Sequence, residues 1–189
     1  LPIPYRAGEA RFDVARLTDA WRTTRSELER ALDRRIALEI EPGRHLVAEC
    51  GVLLTEVRAT KRSGSVDYAL VDAGFHNLVR PAMYGAFHQI SAVGHAADAH
   101  VLPHVVAGPL CESADVFTQT RSGELDPQPL PRVRAGQLLC IHDAGAYAMS
   151  MASNYNSQPL AAEVLVEQGR ARLVRSRQTF DELFARETR

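Results

Sequence analysis

The feature that most limits the fold of this chain is a change of sequence pattern near residue 50. From Val52 onward, short apolar segments follow one another, separated by turns rich in Gly, Pro, Ser and Asp, and no long helical pattern intervenes. The segments VLLTEVRAT and VDYALVDAG flank a turn at KRSGS, and AEVLVEQGRARLVR predicts a last hairpin about Gln168-Gly169. Short strands joined by turns build antiparallel sheets, so we expect residues 51–189 to form an antiparallel β barrel or sandwich domain.

The first part of the chain has a different pattern. Asp13 can cap one long amphipathic helix, IALEIE alternates as a strand does, and EPGR at 41–44 then leads into a short helix, HLVAEC. One helix and one strand do not make a complete α/β domain, because a lone strand has no partner for its backbone hydrogen bonds. We therefore expect residues 1–50 to be the end of a larger α/β domain, and the chain to be a piece of a longer protein.

Composition argues against several classes of function. With 22 basic and 23 acidic residues the net charge is −1, so we expect no nucleic-acid partner. No apolar run approaches the roughly 20 residues that cross a bilayer, and the first residues lack a signal-peptide pattern, so we expect a cytoplasmic protein with no membrane partner. The three cysteines, Cys50, Cys111 and Cys140, and the seven histidines lack metal-ligand spacing, so we expect neither a metal site nor a disulfide.

Two segments carry residues that suit an anionic ligand. A strand that runs through EPGR into a helix exposes backbone N–H groups that can hold a phosphate, with Arg44 beside them. The segment VRPAMYGAFH puts Arg80 and Tyr84 four residues apart, on one face of a helical turn, where guanidinium and phenol can hold an anion. The alternatives are an ordinary turn with a solvated arginine, and a surface arginine lying over an aromatic ring.

Two other segments suit proton transfer and ligand contact. In GPLCESADVF, Cys111 stands beside Glu112 and near Asp115, and these negative charges favour the neutral thiol, which is a proton donor. The alternative is a cysteine buried at a strand edge. In HDAGAYAMS, Tyr147 follows a strand in a glycine-containing loop, and the alternative is a half-buried tyrosine in a plain turn. The residues alone leave these alternatives open.

The order of these segments resembles one known family. EPGR, followed by HLVAECGVLLTEV, DYALVDAGFHNLVRPAMYGAFH, GPLCESADVF and DAGAYAMSMASNYNSQPLAAEVLV, resembles the C-terminal part of the diaminopimelate decarboxylases. The resemblance runs in register over most of residues 1–175. These enzymes are pyridoxal-phosphate-dependent carboxy-lyases, and the resemblance implies conversion of meso-2,6-diaminopimelate to L-lysine, the final step of lysine biosynthesis.

The resemblance also implies an architecture and a set of site residues. Family members have an N-terminal (β/α)8 barrel like that of alanine racemase and a C-terminal β domain, so residues 1–50 would be the last part of the barrel and residues 51–189 the β domain. They form homodimers with shared active sites. The residues implied to bind the cofactor are Glu41, Pro42, Gly43, Arg44 and Tyr147. Those implied to bind diaminopimelate are Arg44, Arg80, Tyr84, Glu112 and Tyr147. Cys111 would be the catalytic proton donor, and it would reach with Glu112 into the partner's site.

Two departures from the family pattern bear on these expectations. Ala114 stands where the family motif Cys-Glu-Ser-Gly-Asp has glycine. The family's Schiff-base lysine lies upstream of Leu1, and Lys61, in a hairpin turn, does not replace it, so we expect the isolated chain to be inactive. The alternatives are a related ornithine, arginine or carboxynorspermidine decarboxylase, or a non-catalytic decarboxylase-like binding domain. Glu112 argues against the ornithine type, which tends to have aspartate at this place.

Overall fold

The N-terminal part of the chain is helical. The computed structural model describes residues 1–96 and 99–188. Helix α1 spans Val14–Leu32, and the Asp13 side chain caps it by accepting a hydrogen bond from the Arg16 backbone N–H at 2.9 Å. Helix α2 spans Gly43–Val47 and continues as a 3₁₀ turn over Ala48–Cys50. Both predicted helices are confirmed.

The rest of the described chain is mainly β. Its strands are β1 (Leu53–Ser63), β2 (Val66–Val71), β3 (Ile90–Ala92), β4 (Val101–Ala107), β5 (Gln128–Pro131), β6 (Leu138–Ile141), β7 (Glu163–Glu167) and β8 (Arg170–Arg175). Two short helices, α3 (Arg80–Tyr84) and α4 (Phe180–Phe184), complete it. The predicted hairpin is confirmed as β7 and β8, whose turn residues Gln168 and Gly169 have φ of 50° and 74°.

A six-stranded sheet surrounds the core. Its strand order is β3-β6-β1-β2-β4-β5, and the edge strands β3 and β5 approach each other. The Gln128 side chain of β5 accepts a hydrogen bond from the Ile90 backbone N–H of β3 at 2.9 Å, so the sheet is nearly closed into a barrel. Buried apolar residues fill it, among them Val57, Leu78, Val106, Leu130, Leu139 and Ile141. The prediction of a mainly β fold is confirmed in this form.

The prediction of a wholly antiparallel domain is wrong at one pair of strands, because β2 and β4 are parallel. A parallel neighbour needs a long crossover, and the segment between β2 and β4 provides one. This crossover contains α3, which begins at Arg80, and β3.

Three further differences have local causes. The segment IALEIE forms no strand in the described structure, since no neighbouring strand pairs with it. Strand β5 was missed because its sequence, QPLP, contains two prolines, which are tolerated only where the strand lies at a sheet edge. Lys61 lies within β1 rather than in the hairpin turn, and its Nζ is 5.1 Å from the centroid of the Tyr68 ring. In the described ranges, each helix is too short or too polar to traverse a bilayer.

Candidate active site

Arg80 is a buried cation at the start of α3. It is 6% exposed, and its Nη1 lies 2.9 Å from the Tyr5 hydroxyl oxygen and 2.9 Å from His88 Nε2. Within the described residues it forms no ion pair with a carboxylate. A buried charge is costly unless something compensates it, so this guanidinium favours an anionic ligand.

His88 holds Arg80 as a neutral imidazole. It is 1% exposed, and burial, followed by the charge of Arg80, lowers its pKa to about 4. Its Nδ1 lies 2.9 Å from the His142 carbonyl oxygen, which only accepts, so the ring proton is assigned to Nδ1. The lone pair of Nε2 therefore accepts the hydrogen bond from Arg80.

The lowered pKa of His88 predicts a loss of stability in mild acid. The unfolded histidine takes up a proton near pH 6.5 and folded His88 only near pH 4, so the unfolded state binds more protons between these values. The contribution of neutral His88 to the free energy of unfolding is therefore fully present above pH 6.5. It is lost as the pH falls toward 4. We expect the Tm of the complete gene product to decrease from about pH 7 to about pH 5, less so in His88→Gln. Equal decreases in both proteins would contradict this.

Tyr147 brings Arg44 and Arg80 to one place. The centroid of its ring lies 5.5 Å from Arg44 Cζ and 5.7 Å from Arg80 Cζ. Its φ of 64° is unusual for a residue other than glycine. The structure thus unites three of the predicted site residues in a cluster completed by Tyr5 and His88, which we call the basic cluster.

Glycine allows the loop before Tyr147 to lie against α2. The Gly145 backbone N–H donates to the Ala48 carbonyl oxygen at 3.0 Å, and a Cβ at Gly145 would overlap the Val47 carbonyl oxygen. The Ala144 N–H donates to the Gly51 carbonyl oxygen at 2.8 Å. The loop DAGAY and the helix that follows EPGR are therefore a single packed unit.

The start of α2 fits a phosphate group. Pro42 precedes the helix, and no side chain caps its first N–H groups. A Cβ at Gly43 would meet nothing within 4 Å, so this side of the backbone is open. Arg44 is half-buried beside it, whereas Glu41 is exposed. The residues present thus fit the phosphate of pyridoxal phosphate.

Tyr84 does not join the basic cluster in this chain. It ends α3 and is 52% exposed. The aromatic rings over the Arg80 guanidinium are those of Tyr5 and Tyr147, with Tyr5 centred 5.0 Å from Arg80 Cζ. The predicted pairing of Tyr84 with Arg80 about one ligand therefore remains a prediction.

Cys111 and Glu112 lie on an exposed loop with two neighbours from residues 155–156. The Cys111 backbone N–H donates to Asn156 Oδ1 at 3.1 Å, and the Tyr155 hydroxyl donates to Glu112 Oε2 at 3.3 Å. Hydrogen bonds from the Ala114 N–H and the Ser113 hydroxyl lower the pKa of Glu112. The Cys111 side chain is exposed, which argues against the buried-cysteine alternative. We call residues 111, 112, 155 and 156 the thiol loop.

Asp115 anchors the thiol loop. Its carboxylate is buried and accepts hydrogen bonds from the backbone N–H groups of Phe75 at 2.7 Å and Leu110 at 2.8 Å. A Cβ at Gly108 would overlap this carboxylate, so glycine is needed there. Burial raises the pKa of Asp115 above its usual range. Its role here is to hold the loop. Ala114 is not among the described residues with positive φ, so its methyl group imposes no strain.

Removing the Asp115 carboxylate is expected to destabilise the protein. Asp115→Ala leaves two backbone N–H groups without an acceptor, at a cost of about 1–3 kcal/mol for each one that stays buried. We expect the Tm of the complete gene product to fall by several degrees, roughly 2–8 °C. Asp181→Ala, at an exposed position in the first turn of α4, is the matched control. An unchanged Tm in Asp115→Ala would contradict the anchoring role.

Four residues of the site were not predicted from the sequence: Tyr5, His88, Tyr155 and Asn156. His88 ends the segment GAFH, and Tyr155 and Asn156 lie in NYN. Neither segment has a residue spacing that indicates a functional site. In the part of the chain described, no hydrogen bond or ion pair joins the thiol loop to the basic cluster. Nor do three His, Cys, Asp or Glu residues gather there in a way that could hold a metal ion.

Comparison with known proteins identifies the family of this fold. A family model described as "Pyridoxal-dependent decarboxylase, C-terminal sheet domain" matches residues 16–145. The chain belongs to this family. Among relatives in the decarboxylase family, the diaminopimelate decarboxylase of Escherichia coli K12 is 52% identical over 99% of this chain and 46% of that protein. That of Streptomyces coelicolor is 50% identical over 99% of the chain and 43% of the protein.

Solved structures of the decarboxylase family have the same fold. A crystal structure of a diaminopimelate decarboxylase matches with a TM-score of 0.93 and 51% identity, over 98% of this chain and 45% of that one. The enzyme from Helicobacter pylori, complexed with L-lysine, matches with a TM-score of 0.78 and 32% identity, over 95% of this chain and 41% of that one. The chain thus spans less than half the length of these relatives.

Proposed function

We propose that this chain supplies the substrate-recognition and proton-donating part of a diaminopimelate decarboxylase, a carboxy-lyase that converts meso-2,6-diaminopimelate to L-lysine. The observation that carries the proposal is the buried guanidinium of Arg80, which lacks a carboxylate partner in the described structure and shares the Tyr147 ring with Arg44. The identity of 52% with the Escherichia coli enzyme supports it. The reaction completes lysine biosynthesis, which fits a cytoplasmic location.

The cofactor of the proposed reaction is pyridoxal phosphate. When bound, it supplies the electron sink for the bond that loses carbon dioxide. The backbone of residues Glu41, Pro42, Gly43 and Arg44 would hold its phosphate, and Tyr147 would contact both cofactor and substrate. Lys61 is exposed and lies over Tyr68, so the covalent anchor is expected from a barrel whose last part is residues 1–50.

Recognition of diaminopimelate is proposed to depend on protein groups that bind the substrate end that does not react. The molecule has two amino-acid ends, and its product lysine keeps one of them. Arg80 and Tyr84 would bind the distal carboxylate, Glu112 would bind the distal ammonium, and Arg44 would also contact the substrate. The lowered pKa of Glu112 keeps it ionised for that contact. A substrate without the distal carboxylate leaves the buried charge of Arg80 unpaired, which is how such a site rejects it.

Cys111 is proposed to return the proton. Its thiol would donate to the substrate carbon from which carbon dioxide has left, and the resulting thiolate would regain a proton from water. The Cys111 side chain is exposed on a loop that Asp115 anchors, so its thiol can donate a proton to a substrate bound outside the loop. Cys111 and Glu112 would serve the active site of the partner in a homodimer.

The shared site predicts complementation between inactive subunits. One variant of the complete gene product would lack the cofactor-anchoring lysine, and the other would carry Cys111→Ala. Mixing and exchange of subunits should restore activity, because one of the two sites in a mixed dimer then has both groups. Mixing either variant with itself is the control. If mass spectrometry shows that the subunits have exchanged but activity is not restored, the shared site is refuted.

Growth tests the function as a whole. We expect the complete coding sequence to support growth without lysine in an Escherichia coli strain that lacks its own diaminopimelate decarboxylase. The Cys111→Ala sequence, expressed to the same level, should not. A soluble wild-type product that fails to support growth would refute the proposed function and favour a related decarboxylase or a non-catalytic binding domain.

A further inference from the structure

His88 occupies a position fixed from three sides. The Gln128 side chain donates to the His88 carbonyl oxygen at 2.8 Å, and the His142 carbonyl oxygen accepts from His88 Nδ1 at 2.9 Å. The Tyr5 ring packs against the imidazole at 5.4 Å between centroids, with an angle of 70° between the planes. Gln128 and His88 are 4% and 1% exposed, so water has little access to these contacts.

The contacts of Arg80 divide its guanidinium into two parts. Nη1 carries two protons, and the Tyr5 hydroxyl and His88 Nε2 accept one each. Nε and Nη2 have no hydrogen-bond partner among the described residues. These two nitrogens form the edge of the guanidinium that binds a carboxylate through two parallel hydrogen bonds.

We propose that His88 is a positioning residue for substrate recognition: its neutral imidazole fixes Arg80 Nη1, so that the Nε–Nη2 edge faces the carboxylate of an α-amino-acid end. This inference rests on the proposed function, because that carboxylate is the distal one of diaminopimelate. Tyr5 assists from the other side of Nη1.

The neutral charge of His88 matters for the affinity of Arg80 for a carboxylate. A carboxylate at the place of His88 would orient Arg80 equally well but would compensate its charge and weaken its attraction for a second carboxylate. An imidazole orients the guanidinium and leaves its charge for the ligand. The lowered pKa of His88 agrees with this arrangement, since a protonated ring would have no lone pair for Arg80.

Two substitutions at His88 separate its contacts. Asparagine is short and can keep the donor to the His142 carbonyl oxygen, but it cannot reach Arg80. Glutamine is longer and can offer an acceptor near the position of Nε2. For the complete gene product with bound cofactor, we expect His88→Asn to raise KM for meso-diaminopimelate about tenfold with kcat nearly unchanged, and His88→Gln to raise it by less than about threefold.

A double-mutant cycle with Arg80→Lys decides whether His88 acts through Arg80. In the Arg80→Lys background, His88→Asn should change KM by less than about twofold, because the group that it positions is gone. The same fold change in both backgrounds, or an unchanged KM in His88→Asn alone, would overturn the inference. A wild-type protein that does not decarboxylate diaminopimelate would instead refute the proposed function, so the two failures are distinguishable.

Discussion

Replacing Cys111 with alanine is expected to lower kcat for diaminopimelate by about 10²- to 10⁴-fold, which is the usual contribution of a positioned proton donor. KM should change little, because the proposed proton donation follows substrate binding. Binding of pyridoxal phosphate should also be unaffected, because the thiol loop has no described hydrogen bond to the start of α2. Steady-state rates of carbon dioxide release and the visible absorbance of the bound cofactor provide the two measurements.

Cys140→Ala is the matched control for this prediction. Cys140 is partly buried in β6, away from the thiol loop, and burial raises the pKa of its thiol. We expect its kcat to stay within about twofold of the wild type, since a partly buried thiol in a strand only packs. A Cys111→Ala protein that retains wild-type kcat would show that Cys111 is not the proton donor.

Replacing Arg80 with methionine is expected to lower kcat/KM for diaminopimelate by about 10³-fold or more. The two hydrogen bonds proposed between the buried Arg80 and the distal carboxylate would be lost, and hydrogen bonds to charged groups contribute about 1.5–3 kcal/mol each. Methionine keeps most of the side-chain volume, so packing against Tyr5 is largely preserved. The loss should appear mainly in KM, because the distal carboxylate is equally bound before and during the reaction.

Ligand binding separates loss of recognition from loss of fold. L-lysine keeps the amino-acid end of diaminopimelate that does not react, and cadaverine lacks its carboxylate. Arg80→Met should weaken binding of L-lysine and leave binding of cadaverine unchanged. Arg58→Met, which removes an exposed arginine paired with Glu56 on β1, should alter neither. Equal weakening of both ligands in Arg80→Met would contradict a specific contact with the carboxylate.

The sequence predicted those elements that depend on interactions between residues close in the chain. Asp13 caps α1 because its side chain reaches the third helical N–H, and Gln168-Gly169 forms a hairpin because both residues tolerate positive φ. The parallel pairing of β2 with β4 was not predictable in this way. It depends on a long crossover, and nothing in either strand marks the direction of its neighbour.

The candidate site was only partly predictable for the same reason. Arg44, Arg80 and Tyr147 each stand in a recognisable segment, and the fold brings them together. The environment that gives Arg80 its character is distant in the sequence: Tyr5 lies 75 residues before it, and the carbonyl group that fixes His88 lies 54 residues after His88. Asp115 was interpreted as a charge beside the thiol, and its burial against Phe75 and Leu110 became visible only in the folded chain.

We propose that this chain belongs to an enzyme whose substrate must have two amino-acid ends. The most direct test is the release of carbon dioxide by the complete gene product, loaded with pyridoxal phosphate, from meso-diaminopimelate, L-ornithine and L-arginine in parallel. We expect kcat/KM for diaminopimelate to exceed the values for ornithine and arginine by about 10⁴-fold, because the wrong substrate leaves a buried polar group unpaired. Activity on ornithine or arginine without activity on diaminopimelate would contradict it.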